Sequence, residues 1–162
     1  MQSAACFTYG SLMWPDIMAR VCGCEASELL HCRAWLSGHS RHPVLGQDYP
    51  GLVVRRGAAP LQGVLYRGLS PHHLQRLDAF EGQEYERVAV EVALEAPGAS
   101  RAFATVADGG ATGAVEQAWV YRYRADLAHR LGPGDWSEQG FETQGKARFC
   151  ATYMGFAQTH TP

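Results

Sequence analysis

The 162-residue sequence lacks any apolar run long enough to cross a membrane, and it lacks a strong excess of either charge. Its formal net charge is −2, which does not suggest the basic surface that nucleic acid requires. We therefore expect neither a membrane nor nucleic acid as a partner. Residues 1–10 have no basic region and no long apolar core, so they do not resemble a secretory signal, and we expect a cytoplasmic location. Internal repeats and low-complexity tracts are also missing.

A paired CxxC pattern is missing as well, although the sequence has five cysteines. An odd number of cysteines without a secretory signal predicts free thiols in a reducing compartment. Cys22, Cys24, His31 and Cys32 lie close together in sequence, but a strand would send His31 and Cys32 to opposite faces. We therefore predict no metal site.

The composition of the chain indicates one globular domain. Hydrophobic residues make up 46% and charged residues 19% of the chain, and we assign residues 1–157 to a single domain and 158–162 to a loose tail. Strand patterns cover 4–9, 28–38, 52–55, 61–69, 85–94, 101–107 and 115–124, whereas helix patterns cover 16–22, 70–81 and 137–153. The polar segment 38–50 is predicted as a loop. Few helices and no βαβ alternation predict an α+β fold around a largely antiparallel sheet, whose closure the pattern does not show.

One carboxylate breaks a local rule. Ser70 and Pro71 are typical of a helix start, and Gly82 is predicted to adopt the left-handed conformation that closes the helix. Glu81 then falls in the last helical turn, where the helix dipole disfavours a negative charge. Its position after Phe80 suggests partial burial and a raised pKa, as a general base or acid requires. The alternative is that Glu81 points into solvent at a frayed end.

A second candidate feature is the turn Gly10-Ser11 after the first strand. A strand that enters a helix through small residues leaves backbone N–H groups free for an anion or oxyanion. The alternatives are an ordinary tight turn or a hydrolase with Ser11 as nucleophile, but the sequence shows no base motif for that serine. Arg41 in the predicted loop either pairs with a substrate carboxylate or is solvated.

These motifs occur together in one known family. Tyr9-Gly10-Ser11-Leu12, and Leu77 to Gly82 followed by Tyr85 and Arg87, resemble the gamma-glutamylcyclotransferase-like family. The similarity is to the branch with gamma-glutamylamine cyclotransferases and plant avirulence-induced proteins. Further similar stretches are Tyr49-Pro50-Gly51-Leu52-Val53, Gly63-Val64-Leu65-Tyr66 and Val120-Tyr121. The resemblance extends from about residue 6 to 123, whereas the region from Asp135 onward offers no diagnostic residue.

The resemblance implies a small mixed, mostly antiparallel β-barrel with about three flanking helices and a pocket at one end. It implies that Tyr9, Gly10, Ser11 and Leu12 line the pocket and that Glu81 is the catalytic acid/base. Family members of known activity let the α-amine of a gamma-glutamyl amide attack its own γ-carbonyl, which releases 5-oxoproline and an amine. We expect a small gamma-glutamyl substrate and no metal or organic cofactor.

Four further side chains receive roles in this prediction. Tyr9, Tyr85 and Tyr121 shape the pocket or hydrogen-bond the substrate. Arg87 pairs with Glu81 or with a substrate carboxylate, or else forms a structural ion pair. Glu84 competes with Glu81 as the base, but we expect it to be solvated. The alternative to an enzyme is a non-catalytic module that binds a small amide or carboxylate.

Overall fold

A closed five-stranded barrel forms the centre of the computed structural model, which describes residues 3–95 and 114–159. The strands are β1 (Ala4–Thr8), β2 (Leu30–Leu36), β5 (Leu61–Leu69), β6 (Tyr85–Ala93) and β7 (Val115–Tyr123), and the barrel order is β1-β5-β2-β6-β7. Neighbours are antiparallel except β1 and β7, whose parallel pairing of Cys6 with Trp119 closes the barrel. The predicted α+β fold and mixed, mostly antiparallel barrel are therefore confirmed.

A separate two-stranded sheet contradicts part of the loop prediction for 38–50. Strands β3 (His39–Pro43) and β4 (Pro50–Val54) pair along their whole length. Strand β3 was missed because its inward-facing positions carry His39 and Arg41, which are both buried. Polar side chains on both faces of a strand remove the alternation on which the prediction depends.

Five α-helical segments lie in the described residues. They are α1 (Pro15–Cys22), α2 (Pro71–Glu81), α3 (Glu138–Gly140), α4 (Lys146–Thr152) and α5 (Gly155–Gln158). A π-helical turn, Phe141–Gly145, joins α3 to α4, so the predicted helix 137–153 is one run with an irregular centre. None of the helices described here is long and apolar enough to span a bilayer.

The predicted loose tail begins as packed structure. Gln158 ends α5, and Thr159 is buried with its carbonyl accepting a hydrogen bond from Arg76 at 2.9 Å. Residues 160–162 lie outside the described part of the chain, as do the predicted strand 101–107 and the loop after it.

Helix α2 begins and ends at the predicted residues. The Ser70 hydroxyl accepts the His73 N–H at 3.1 Å, and Pro71 occupies the first turn. Gly82 ends the helix with φ 75° and ψ −158°, which is outside the left-handed helical region we predicted but still open mainly to glycine. This ending turns the chain sharply into β6 and leaves Glu81 at the helix terminus.

Two apolar clusters hold these elements together. One includes Phe7, Leu65 and Val120 from three barrel strands, and all three are nearly or fully buried. The other packs α1, α2 and the C-terminal helices on the barrel, with Phe80 and Phe149 among its members. Strand β1 contributes Cys6 to one cluster and Phe7 to the other, as the alternation of a strand requires.

Candidate functional site

A cavity lies where β1 and α2 end. Seven of the eight predicted site residues line it, namely Tyr9, Gly10, Ser11, Leu12, Glu81, Tyr85 and Tyr121. Its volume is about 30 Å³, which is room for about two water molecules. The fold therefore brings together two motifs that are about seventy residues apart in the chain.

Glu81 is the acidic residue in the wall of this cavity. Its pKa is raised from 4.5 to about 8, first because burial penalises the carboxylate and then because Glu84 and Asp78 place negative charge nearby. Within residues 3–95 and 114–159, no side-chain or backbone group donates a hydrogen bond to its carboxylate. A carboxyl group with a raised pKa and unused oxygens can both accept and return a proton near neutral pH.

Glu84 has a different environment from the solvated one we predicted. Its carboxylate accepts hydrogen bonds from the Tyr49 hydroxyl at 2.7 Å, the Tyr123 hydroxyl at 3.1 Å and the Arg130 guanidinium at 3.1 Å. The prediction was wrong because the three donors come from a loop, a strand and a helical turn that are distant in sequence. These contacts make Glu84 an anchor between elements rather than a free base.

The hydroxyl groups of the three predicted tyrosines form hydrogen bonds within the protein. Tyr9 donates to the Tyr121 carbonyl at 2.6 Å, and Tyr85 donates to the Pro50 carbonyl at 2.7 Å. Tyr121 donates to the Asp78 carboxylate at 2.7 Å. Burial raises the pKa of each phenol well above its usual value, so all three stay neutral. Their rings shape the cavity walls.

Arg87 lies outside this cavity. Its guanidinium forms an ion pair with Asp78 through contacts of 2.8 and 3.2 Å and stacks over the Trp119 ring at 4.5 Å. Of the interpretations that the sequence left open, the geometry matches the structural ion pair rather than pairing with Glu81.

The residues of the turn after β1 line the cavity. Ser11–Met13 form one turn of 3-10 helix, and the first internal bonds are donated by Met13 and Trp14. The N–H groups of Gly10, Ser11 and Leu12 have no acceptor among the described residues, as expected at a helix start. No histidine is found among the residues that line the cavity, so Ser11 lacks the base that a serine nucleophile needs.

Arg41 is neither solvated nor free to bind a substrate carboxylate. It is buried and forms a bidentate ion pair with Asp135, at 2.8 and 3.0 Å. The prediction failed because β3 was taken for a surface loop.

Aromatic side chains separate the cavity from a wider groove of about 550 Å³. Tyr49, Phe149 and Tyr153 line both spaces, together with Phe80 and Glu81. The Tyr153 hydroxyl donates to the Phe80 carbonyl at 3.0 Å, and its ring stacks on Phe149 with centroids 4.7 Å apart. Glu81 therefore stands between a small inner space and a large outer one.

Three residues near Glu81, namely Asp78, Phe149 and Tyr153, were not predicted as site residues. Asp78 precedes Glu81 by three positions, and that helical spacing was the available signal that both lie near one face of α2. Phe149 and Tyr153 gave no signal, because their contribution depends on how the C-terminal helix packs.

The structure places the five cysteines as free thiols. Among the residues that the structure describes, no three His, Cys, Asp or Glu side chains come close enough together to hold a metal ion.

Solved structures, gamma-glutamyl cyclotransferases among them, share this fold. The solution structure of an Arabidopsis thaliana protein superposes with a TM-score of 0.62 at 22% identity, covering 97% of this chain and 83% of the other. A gamma-glutamyl cyclotransferase specific to glutathione from yeast superposes with a TM-score of 0.57 at 16% identity, covering 100% and 90%. At these identities the likeness establishes the fold alone.

The family follows from the sequence. Residues 6–138 match the model of the family described as gamma-glutamyl cyclotransferase, AIG2-like, and the chain belongs to this family. Protein AIG2 C from Arabidopsis thaliana is 34% identical over 91 residues, which are 56% of this chain and 53% of that relative. The matched segment thus spans about half the length of this relative.

Proposed function

We propose that the protein is a gamma-glutamyl cyclotransferase-type enzyme that cleaves a gamma-glutamyl amide or gamma-glutamylamine by intramolecular cyclisation. The α-nitrogen forms a bond to the γ-carbonyl carbon while the amide C–N bond breaks. The products are 5-oxoproline and a free amine or amino acid, and the reaction is balanced without water. The proposal rests above all on Glu81, a carboxylate in the cavity wall with a pKa of about 8 and no hydrogen-bond donor among the described residues.

The pKa of Glu81 suits the proton that must move. The terminal α-ammonium group of a peptide has a pKa of about 8, and the α-carboxylate beside it in a gamma-glutamyl substrate raises that value. The pKa of about 8 for Glu81 is much closer to it than the pKa of an ordinary carboxyl group, which lowers the free-energy cost of proton transfer. Glu81 therefore removes the ammonium proton before attack and returns it to the leaving nitrogen.

Backbone donors provide the second part of the mechanism. Attack on the γ-carbonyl develops negative charge on its oxygen, and preorganised N–H groups stabilise such charge. The N–H groups of Gly10, Ser11 and Leu12 are without acceptors in the described residues and belong to residues that line the same cavity as Glu81. They bind either this oxyanion or the α-carboxylate of the substrate.

Different parts of the substrate occupy the two spaces around Glu81 in this proposal. Glu81 lines both the cavity of about 30 Å³ and the groove of about 550 Å³, so we expect the gamma-glutamyl group to occupy space on both sides of it and the aromatic wall to adjust as it binds. Tyr153 and Phe149 form this wall, and the larger groove beyond them takes the leaving amine. Folding the substrate across Glu81 would supply much of the rate, because the attack is intramolecular.

The test is 5-oxoproline release from a panel of gamma-glutamyl amino acids and gamma-glutamylamines. Glu81→Gln preserves the size of the side chain and removes the base, so we expect turnover to be lost while the circular dichroism spectrum is unchanged. Glu86→Gln is the matched control, because Glu86 is an exposed carboxylate on the adjacent strand. It should retain the wild-type rate.

Three outcomes would argue against this proposal. Equal activity of Glu81→Gln and wild type would exclude Glu81 as the base and make Glu84→Gln the next variant to assay. Loss of activity in Glu86→Gln would show that the carboxylate effect is not specific. Binding of a gamma-glutamyl compound without release of 5-oxoproline would identify a non-catalytic binding module.

A further inference from the structure

Arg41 connects the C-terminal region to the cavity turn. Its Nε and Nη2 atoms donate to the two carboxylate oxygens of Asp135, at 2.8 and 3.0 Å. Its Nη1 atom donates to the Tyr9 carbonyl at 2.8 Å and to Glu138 at 3.3 Å. The guanidinium side chain is only 5% exposed, whereas the side chains of Asp135 and Glu138 are 62% and 53% exposed.

The contact with the Tyr9 carbonyl acts on the N–H group of the next residue, Gly10. The Tyr9 carbonyl and the Gly10 N–H belong to one planar peptide unit, so a donor on the oxygen fixes the direction of the N–H. A charged donor also draws electron density toward the carbonyl oxygen and makes the N–H a stronger donor. Gly10 lines the cavity beside Glu81, and its N–H has no acceptor among the described residues.

We propose that Arg41 is a positioning residue that orients and polarises the Gly10 N–H toward the anion formed in the cavity. The inference rests on the proposed function, because it assigns the control of one donor in that site. Arg41 acts through the Tyr9–Gly10 peptide and does not touch the substrate.

The different partners of the guanidinium nitrogens support this role. The fork formed by Nε and Nη2 with Asp135 already anchors Arg41 between β3 and the residues before α3. The remaining nitrogen is then directed at the one backbone carbonyl that precedes the cavity turn. The Pro50 ring also lies close to Gly10, since a Cβ at Gly10 would be 2.8 Å from two of its atoms.

The kinetic test compares Arg41→Met with two other variants. Arg41→Met removes the donor to Tyr9 without stranding a buried charge, because Asp135 and Glu138 remain exposed to water. Losing a full oxyanion donor costs about 10²–10³ in kcat, and weakening one should lower kcat by about 10-fold or more with KM changed less than about threefold. Asp135→Asn weakens the anchor but keeps the Tyr9 contact, so its kcat should fall far less. Arg67→Met removes a more exposed ion pair with Glu116 away from the cavity and should keep the wild-type rate.

A second measurement does not depend on turnover. The amide proton of Gly10 in a ¹⁵N-resolved NMR spectrum should move upfield in Arg41→Met and stay close to its wild-type position in Asp135→Asn and Arg67→Met. An unchanged Gly10 signal in Arg41→Met would overturn the proposal, as would equal losses of kcat in Arg41→Met and Asp135→Asn. If the Gly10 signal shifts while the wild-type protein releases no 5-oxoproline, the proposed function fails and the orienting contact stands.

Discussion

Replacing Glu81 with glutamine should stabilise the fold, and the gain should grow with pH. The carboxyl group has a pKa of about 8 in the folded protein and 4.5 as its ordinary value. Between these values the folded chain holds a proton that the unfolded chain has released. The stability of the wild-type protein therefore falls as the pH rises from about 4.5 to about 8.

The size of this effect follows from the shift in pKa. A change from 4.5 to about 8 corresponds to an upper limit of about 5 kcal/mol in the free energy of unfolding, because solvent that reaches the carboxylate reduces it. The difference between Glu81→Gln and wild type should be near zero below pH 4.5, rise by about 1.4 kcal/mol per pH unit, and level off above pH 8. At pH 7 it should reach up to about 3 kcal/mol.

Urea unfolding of both proteins at several pH values from 5 to 9 measures this difference directly. Contributions of titrating groups that do not interact with Glu81 cancel when the two curves are subtracted at each pH. Glu86→Gln, which changes an exposed carboxylate, is the control and should change the stability only slightly.

Parallel stability curves for wild type and Glu81→Gln would refute this reasoning. They would mean that the Glu81 carboxylate is solvated in the folded protein, and the argument for it as a base with a raised pKa would fail with it. The measurement needs no substrate, so it tests the electrostatics of the site before its chemistry.

Three further predictions concern the same cavity. The pH dependence of kcat/KM should show an acidic limb near pH 8, since the base must be ionised, and Glu84→Gln should move this limb to lower pH by removing a negative charge near Glu81. Gly10→Ala should destabilise the fold by about 1–3 kcal/mol in urea unfolding, because its Cβ would lie 2.8 Å from two atoms of the Pro50 ring. Tyr153→Phe should cost about 1 kcal/mol in the same assay, since the Phe80 carbonyl loses its donor while the ring stays in place.

The features that local sequence determines were predictable. Ser70, Pro71 and Gly82 delimit α2 because capping depends on the residues next to a helix end, and Glu81 was identified because it conflicts with the same local rules. The C-terminal helix followed from apolar spacing, but its π-helical turn did not. Barrel closure came from the family resemblance, since the β1–β7 pair joins residues more than a hundred positions apart.

The partners of charged side chains were not predictable. Arg41, Glu84 and Arg87 each offered several interpretations, and the structure pairs them with Asp135, Tyr49 and Asp78 respectively. Each pair joins separate elements, so its existence depends on tertiary packing and leaves no trace in spacing or composition. Strand β3 was not predicted for a related reason. Its charged residue, Arg41, is typical of a loop, and the ion-pair partner of Arg41, Asp135, is distant in sequence.

The two residues that close the aromatic wall, Phe149 and Tyr153, lie beyond the segment 6–138 that matches the family. The barrel, the turn at Gly10 and the carboxylate at Glu81 lie inside that segment, whereas the wall combines Tyr49 and Phe80 from it with Phe149 and Tyr153 from the C-terminal region. Under the proposed function, a substitution at Phe149 would change the space beside Glu81 while the carboxylate and the Gly10 backbone stay in place. The C-terminal helices are therefore where we expect a change of preferred leaving amine to arise.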